Sequence, residues 1–196
     1  MIKGLHHNAY RCRDSEETRK FYEDFLGLPL VHVLKIEETM SGRKTGGPGV
    51  LHSFFQLDDG SSLAFFEAPQ MPFEFKQQHD FDLHIALEVE PDVLEAMLER
   101  GKREGREVRG IADHKFIRSI YFRDPNGYVI ELSAKVPGQE SAMDPKKSRA
   151  REMLAAWQNS KSQPAAARAS RSSTHPRQQP PAPGGCCRRD QPSRRR

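Results

Sequence analysis

Residues 4–28 read GLHHNAYRCRDSEETRKFYEDFLGL. A short strand over 4–13 runs into a helix. Asp14 and Glu17 form a D-x-x-E capping box, in which side chains satisfy the orphan donors of a helix start. Phe21, Tyr22, Phe25 and Leu26 then fall on one helical face. Gly27 suits the left-handed position that ends a helix. Two histidines, His6 and His7, open the strand, an uncommon choice for a core element.

Outward from this stretch, LPLVHVLKI (28–36) reads as a strand and MSGRKTGGPG (40–49) as a loop. VLHSFFQLDDGSSLAFFEAP (50–69) reads as a hairpin turning at Asp58-Asp59-Gly60. The order then restarts. FDLHIALEVE (81–90) is a strand, and Pro91-Asp92 open a helix carrying Val93, Leu94, Met97 and Leu98, closed by Gly101 or Gly105. REVRGI (106–111) is a strand, and KFIRSIYFRDPNGYVIELSAK (115–135) is a hairpin turning at Asp124-Pro125-Asn126-Gly127.

The body is therefore strand-helix-strand-strand-strand, twice. His84 lies 77 residues beyond His7, which aligns His7–Cys12 with His84–Val89. Such self-similarity takes precedence in assigning a fold. SFFQLDDG (53–60) aligns with SIYFRDPNG (119–127), which sets Tyr121 opposite Phe55. With one residue of slack from the turns, Phe65 becomes the counterpart of Glu131, and Glu67 lies one pleat further on the same face.

Charge divides the chain. Residues 1–145 hold 18 Lys and Arg against 25 Asp and Glu, whereas residues 146–196 hold 13 against 2. An acidic body argues against nucleic acid as a partner, except weakly through the basic end. Three cysteines, Cys12, Cys186 and Cys187, make neither a disulfide framework nor a CxxC zinc spacing, and a cytoplasmic location fits. No apolar run reaches the length of about 20 residues that a membrane helix needs. Three segments are expected: a body over 1–140 with modules at about 4–70 and 81–135, an amphipathic helix over 141–161, and a disordered Pro, Ala and Arg-rich tail over 162–196.

Alternate residues of a strand share a face. Ile85, Leu87 and Val89 form an apolar face that meets a helix, turning His84, Ala86 and Glu88 to the other side. Ile130 and Leu132 likewise turn Glu131 away from the helix, and the repeat makes His7 point as His84 does. Two imidazoles and a carboxylate suit a divalent transition metal that keeps positions open for a substrate. His6 faces the other way. His32, His52, His79 and His114 have no counterpart in the repeat and are read as ordinary. Glu67 is a candidate fourth ligand or base, and Tyr121 a candidate donor to a substrate oxygen.

At these residues the chain resembles the vicinal oxygen chelate superfamily of glyoxalases, bleomycin and fosfomycin resistance proteins and extradiol dioxygenases. The resemblance is carried by residues 4–30, by DLHIALEVE and by FRDPNGYVIEL. It implies an α+β fold of two βαβββ modules forming a U-shaped, partly open barrel around one divalent ion: Fe, Mn, Zn or Ni. His7, His84 and Glu131 correspond to the ligands. Glu67 lies near the extra glutamate of glyoxalase I but departs from its register. The implied function is a glyoxalase-type lyase that chelates a small oxygenated substrate and stabilises an enediolate or alkoxide. An Fe(II) ring-cleaving dioxygenase and a non-catalytic antibiotic-binding pocket are the alternatives. A homodimer is expected by the same analogy.

Overall fold

The computed structural model describes residues 1–162 apart from 39–41, 46, 78 and 80. The tail expected to be disordered lies outside the described residues, except that Ser162 ends a helix. The chain divides into two units, Met1–Asp144 and Pro145–Arg196.

The first unit holds both modules. One consists of β1 (His7–Cys12), α1 (Ser15–Arg19) continued by a π-helical segment (Lys20–Phe25), β2 (Leu30–Ile36), β3 (Val50–Gln56) and β4 (Ser62–Glu67). The other consists of β5 (His84–Glu88), α2 (Pro91–Arg103), β6 (Val108–Asp113), β7 (Ile117–Arg123) and β8 (Val129–Lys135). The sheets have the same order, β1-β4-β3-β2 and β5-β8-β7-β6. In each, the first strand runs parallel to the last and the other pairs are antiparallel. Among the described residues the sheets do not close into a barrel.

Local chemistry sets the helix ends. Asp14 Oδ1 accepts from the Glu17 amide at 2.8 Å, as the capping box requires. Pro91, with its fixed φ and no N–H, stands in the first turn of α2. Of the two glycines that could close α2, Gly105 lies just past its end at φ +66. Gly101 lies inside the helix, where a Cβ would come within 2.5 Å of the Phe122 ring.

The register corrects one alignment. Ala64 pairs with Ala9 as Glu131 pairs with Ala86, and Phe54 pairs with Ala64 as Tyr121 pairs with Glu131. The counterpart of Glu131 is therefore Ala64, not Phe65, and that of Tyr121 is Phe54, not Phe55. The turns set this register directly, since Ala64 and Glu131 each lie four residues beyond the turn glycine, with no slack between the modules. One step along a strand reverses the face, and Phe65 and Glu67 accordingly lie on the helix side.

A continuous core joins the modules. Phe21, Tyr22, Phe25, Phe55, Leu63 and Phe65 of the first pack with Leu94, Ile120, Phe122, Ile130 and Leu132 of the second. The Phe25 and Phe122 rings meet edge to face at 5.2 Å. Both sheets thus turn their helix sides to one core, and the faces bearing His7 and Glu131 point away from it.

A buried polar hub fastens the same junction. Asp124 Oδ1 accepts from the amides of Asn126 and Tyr128 at 2.9 and 2.8 Å. Its Oδ2 accepts from the Tyr22 hydroxyl at 3.0 Å and Asn126 Nδ2 at 3.1 Å. Asn126 Oδ1 in turn accepts from the Arg13 amide at 2.8 Å, and the Tyr128 hydroxyl donates to the Arg11 carbonyl at 3.0 Å. Gly127, at φ +95, leaves room for the backbone of Lys76, whose carbonyl oxygen would lie 2.2 Å from a Cβ there. The turn that reads in sequence as simple hairpin chemistry is also the lock between modules.

The segment expected to form one helix over 141–161 carries two. A short α3 (Gln139–Met143) closes the first unit, and Asp144 is extended, as a residue preceding proline tends to be. In the second unit, α4 (Ala150–Ser162) starts where Ser148 Oγ accepts from the Ala150 amide at 3.1 Å. No helix of the described residues is long and apolar enough to cross a membrane.

Candidate functional site

The outward face of the second sheet carries a polar cluster built on two of the expected ligands. Alternation along β5 buries Ile85 and Leu87 and exposes His84 and Ala86, as the pattern demands. His84 Nε2 lies 3.2 Å from Glu131 Oε2, although the two strands bring His84 level with Val129. Glu131 is 5% exposed. Its other oxygen, Oε1, accepts from the Ser133 hydroxyl at 2.9 Å and the Tyr121 hydroxyl at 3.3 Å. Ser119 and Ser133 exchange a hydrogen bond at 3.0 Å beneath it. The Tyr121 oxygen also lies 2.8 Å from His114 Nε2.

Two donors bonded at about 2.1 Å and at a right angle to one ion lie about 3.0 Å apart. The 3.2 Å between His84 Nε2 and Glu131 Oε2 fits that edge. The hydroxyls on Oε1 fix the carboxylate, the kind of outer contact that orients a metal ligand. An imidazole and a carboxylate are also the donor types that a divalent transition metal accepts. These two residues fit a metal.

His7 is placed apart from them, on the outward face of the first sheet. Its ring meets Phe54 at 5.3 Å and His52 at 6.0 Å, and its Nδ1 lies 2.8 Å from His6 Nδ1. Among the described residues no three His, Cys, Asp or Glu side chains of this chain are disposed to hold one ion. His32 stands against Phe54 at 5.7 Å, and His52 stacks on Phe66 at 3.8 Å. His52 Nδ1 donates to the Phe65 carbonyl at 3.1 Å, and burial holds its pKa below the usual imidazole value. The sheet face that bears Ala64 thus carries histidines and aromatic rings, and the sheet face that bears Glu131 carries hydroxyls.

Glu67 departs from its expected place. It lies on the helix side of β4, where its Oε2 accepts from the Ser15 amide at 2.8 Å in the first turn of α1. That position rewards a carboxylate through the unpaired N–H groups and the helix dipole. Glu67→Ala is expected to lower stability by about 1 kcal/mol and to leave metal affinity unchanged. Urea unfolding and calorimetric titration with Mn(II) check the two halves. Cys12 is buried, and burial pushes its thiol up to about 11, which makes it a core residue and a poor nucleophile.

Sequence reasoning did not single out His114, Ser119 or Ser133. The serines could have been found by alternation from Tyr121 and Glu131. His114 could not, because a register shift in β6, between Gly110 and Ala112, changes which residues share its face.

Comparison with solved structures finds the same fold. The glyoxylase/bleomycin resistance protein/dioxygenase domain from Frankia sp. EAN1pec is 17% identical, with a TM-score of 0.55 over 71% of this chain and 97% of that one. The fosfomycin resistance protein FosX from Listeria monocytogenes, solved with Mn(II) and sulfate, is 21% identical, with a TM-score of 0.53 over 72% and 99%. A glyoxalase/dioxygenase from Nostoc punctiforme is 23% identical, with a TM-score of 0.51 over 68% and 92%. Comparison with curated proteins found no match. The family model of the Glyoxalase/Bleomycin resistance protein/Dioxygenase superfamily matches residues 4–132, and the chain belongs to that superfamily.

Proposed function

We propose that the chain is a metal-dependent vicinal oxygen chelate enzyme acting on a small oxygenated substrate, with His7, His84 and Glu131 as ligands. The observation carrying this is the pairing of His84 Nε2 with Glu131 Oε2 at 3.2 Å while Oε1 is held by two hydroxyls. When bound, a divalent ion supplies Lewis acidity to two neighbouring substrate oxygens. The chain's own part is positional. Ser133 and Tyr121 fix the carboxylate by donating to its Oε1. Glu67, remote from this face, is not the proton acceptor. The reaction class is glyoxalase-like proton transfer next to a carbonyl, in which the Glu131 carboxylate would take the proton.

His7 comes from a second copy in this reading. Within one chain the two sheets turn their ligand faces away from a common core. In a two-fold dimer the face of one module meets the other module's face from the partner, and two equivalent sites form.

The test begins with metal content by mass spectrometry of protein purified without chelators. About one ion per chain is expected in the wild type and almost none in His84→Ala. Equal, negligible metal in both overturns the proposal in favour of a non-catalytic binding pocket. A panel of hemithioacetals, catechols and epoxides with Fe, Mn, Zn and Ni then separates the chemistries. Oxygen uptake on catechols with Fe(II) assigns a dioxygenase instead of a lyase, and opening of an epoxide with Mn(II) assigns the reaction class of a fosfomycin resistance enzyme.

A further inference from the structure

We infer that His114 is a positioning residue that directs the Tyr121 proton toward Glu131, and so ties Oε1 by a second hydroxyl while Oε2 is left for a cation. The importance of Glu131 rests on the proposed metal function, whereas the contact between His114 and Tyr121 does not.

A phenol has one proton. The Tyr121 hydroxyl stands between two partners, His114 Nε2 at 2.8 Å and Glu131 Oε1 at 3.3 Å. An ionised carboxylate only accepts, so the hydroxyl must donate to Glu131 if that contact is to be a hydrogen bond. His114 must then donate through Nε2–H to the phenol oxygen. In the other tautomer Nε2 accepts, the phenol proton turns to it, and Oε1 keeps Ser133 alone. The tautomer of one imidazole therefore selects between a carboxylate tied at Oε1 by two hydroxyls and one tied by a single hydroxyl.

Two irregularities of the backbone put His114 in this place. Gly110 pairs with Ile120, but Ala112 pairs with Ser119, which leaves Ile111 without a partner in the ladder. An inserted residue of this kind shifts the alternation and re-aims the side chains beyond it. Arg109, opposite Tyr121, and Ala112, opposite Ser119, consequently share a face although they are three residues apart. His114, two residues beyond Ala112, continues that face. The hairpin tip is then fixed by the His114 amide on the Ile117 carbonyl at 3.0 Å and by the Lys115 amide on Asp113 Oδ1 at 2.7 Å. Lys115 takes φ +75, a conformation costly to a side chain other than glycine and kept where the surroundings impose it.

The experiment uses metal-free full-length protein labelled with ¹³C at the tyrosine phenol carbon, with Tyr121→Phe to assign the signal. His114→Ala is expected to move the Tyr121 resonance, and His114→Gln, which retains an N–H donor, to return it toward the native position. In titrations with Mn(II), His114→Ala is expected to raise the dissociation constant about tenfold, as loss of an outer contact to a ligand does. Adding His114→Ala to Tyr121→Phe should weaken binding no further, because the histidine acts through the phenol. An unmoved Tyr121 resonance in His114→Ala, or fully additive effects on Mn(II) binding, overturns the inference. If the wild type takes up no Mn(II), the proposed function fails, and the resonance of the metal-free protein still decides the role of His114.

Discussion

Chains carrying His7→Ala and chains carrying His84→Ala should each bind almost no Mn(II), yet regain about a quarter of wild-type capacity when unfolded, mixed in equal amounts and refolded together. The fraction comes from symmetry. Half of the randomly formed dimers are mixed, and each mixed dimer has one site with both ligands lost and one with neither. Each single variant should lose more than the roughly 100-fold that an outer contact can cost, because a ligand atom itself is gone. If all three ligands came from one chain, mixing would restore nothing. Isothermal titration of the refolded mixture against each variant alone decides between these outcomes.

The largest effect on stability is expected at Asp124. Its carboxylate accepts from four donors in a site that is 3% exposed. Asp124→Ala takes the acceptor from the Tyr22 hydroxyl and two backbone amides together, and leaves Asn126 Nδ2 with Thr18 Oγ1 alone. The loss should be about 4 kcal/mol, toward the upper end for a single change because a buried network is broken. Burial pushes the Asp124 carboxyl above its ordinary range, against the pull of its hydrogen bonds. The folded chain therefore takes up this proton before the unfolded chain as pH falls. The advantage of wild type over Asp124→Ala should accordingly grow from neutral pH toward about pH 4. Urea unfolding at both pH values measures it, and a loss below 1 kcal/mol at neutral pH would remove Asp124 from the junction.

Much of the frame was legible because local signals agreed. The capping box at Asp14, the alternation of Ile85 and Leu87 and the turn glycines at 60 and 127 each specify an element on their own. The shared face of His84 and Glu131 came from strand alternation. What failed was relational. Slack introduced between the modules displaced the counterpart of Glu131 by one residue and carried Glu67 to the wrong face. The separation of His7 was invisible because alternation gives the face of a strand, not which way the whole sheet is turned. The hub at Asp124 was hidden for a similar reason, since its partners Tyr22 and Arg13 are more than 100 residues away in the chain.

The unpaired Ile111 has a consequence for how such a protein can change. Removing Ile111 would restore simple alternation and still leave Arg109, Ala112 and His114 on the face of Tyr121, because the pairs on either side of it keep their register. The imidazole would stay next to Tyr121 without any substitution in the ligands or the core. A lineage could therefore lose this bulge by a single codon deletion and keep the pocket, which makes residue identity more informative about substrate preference than chain length at this point of the second module.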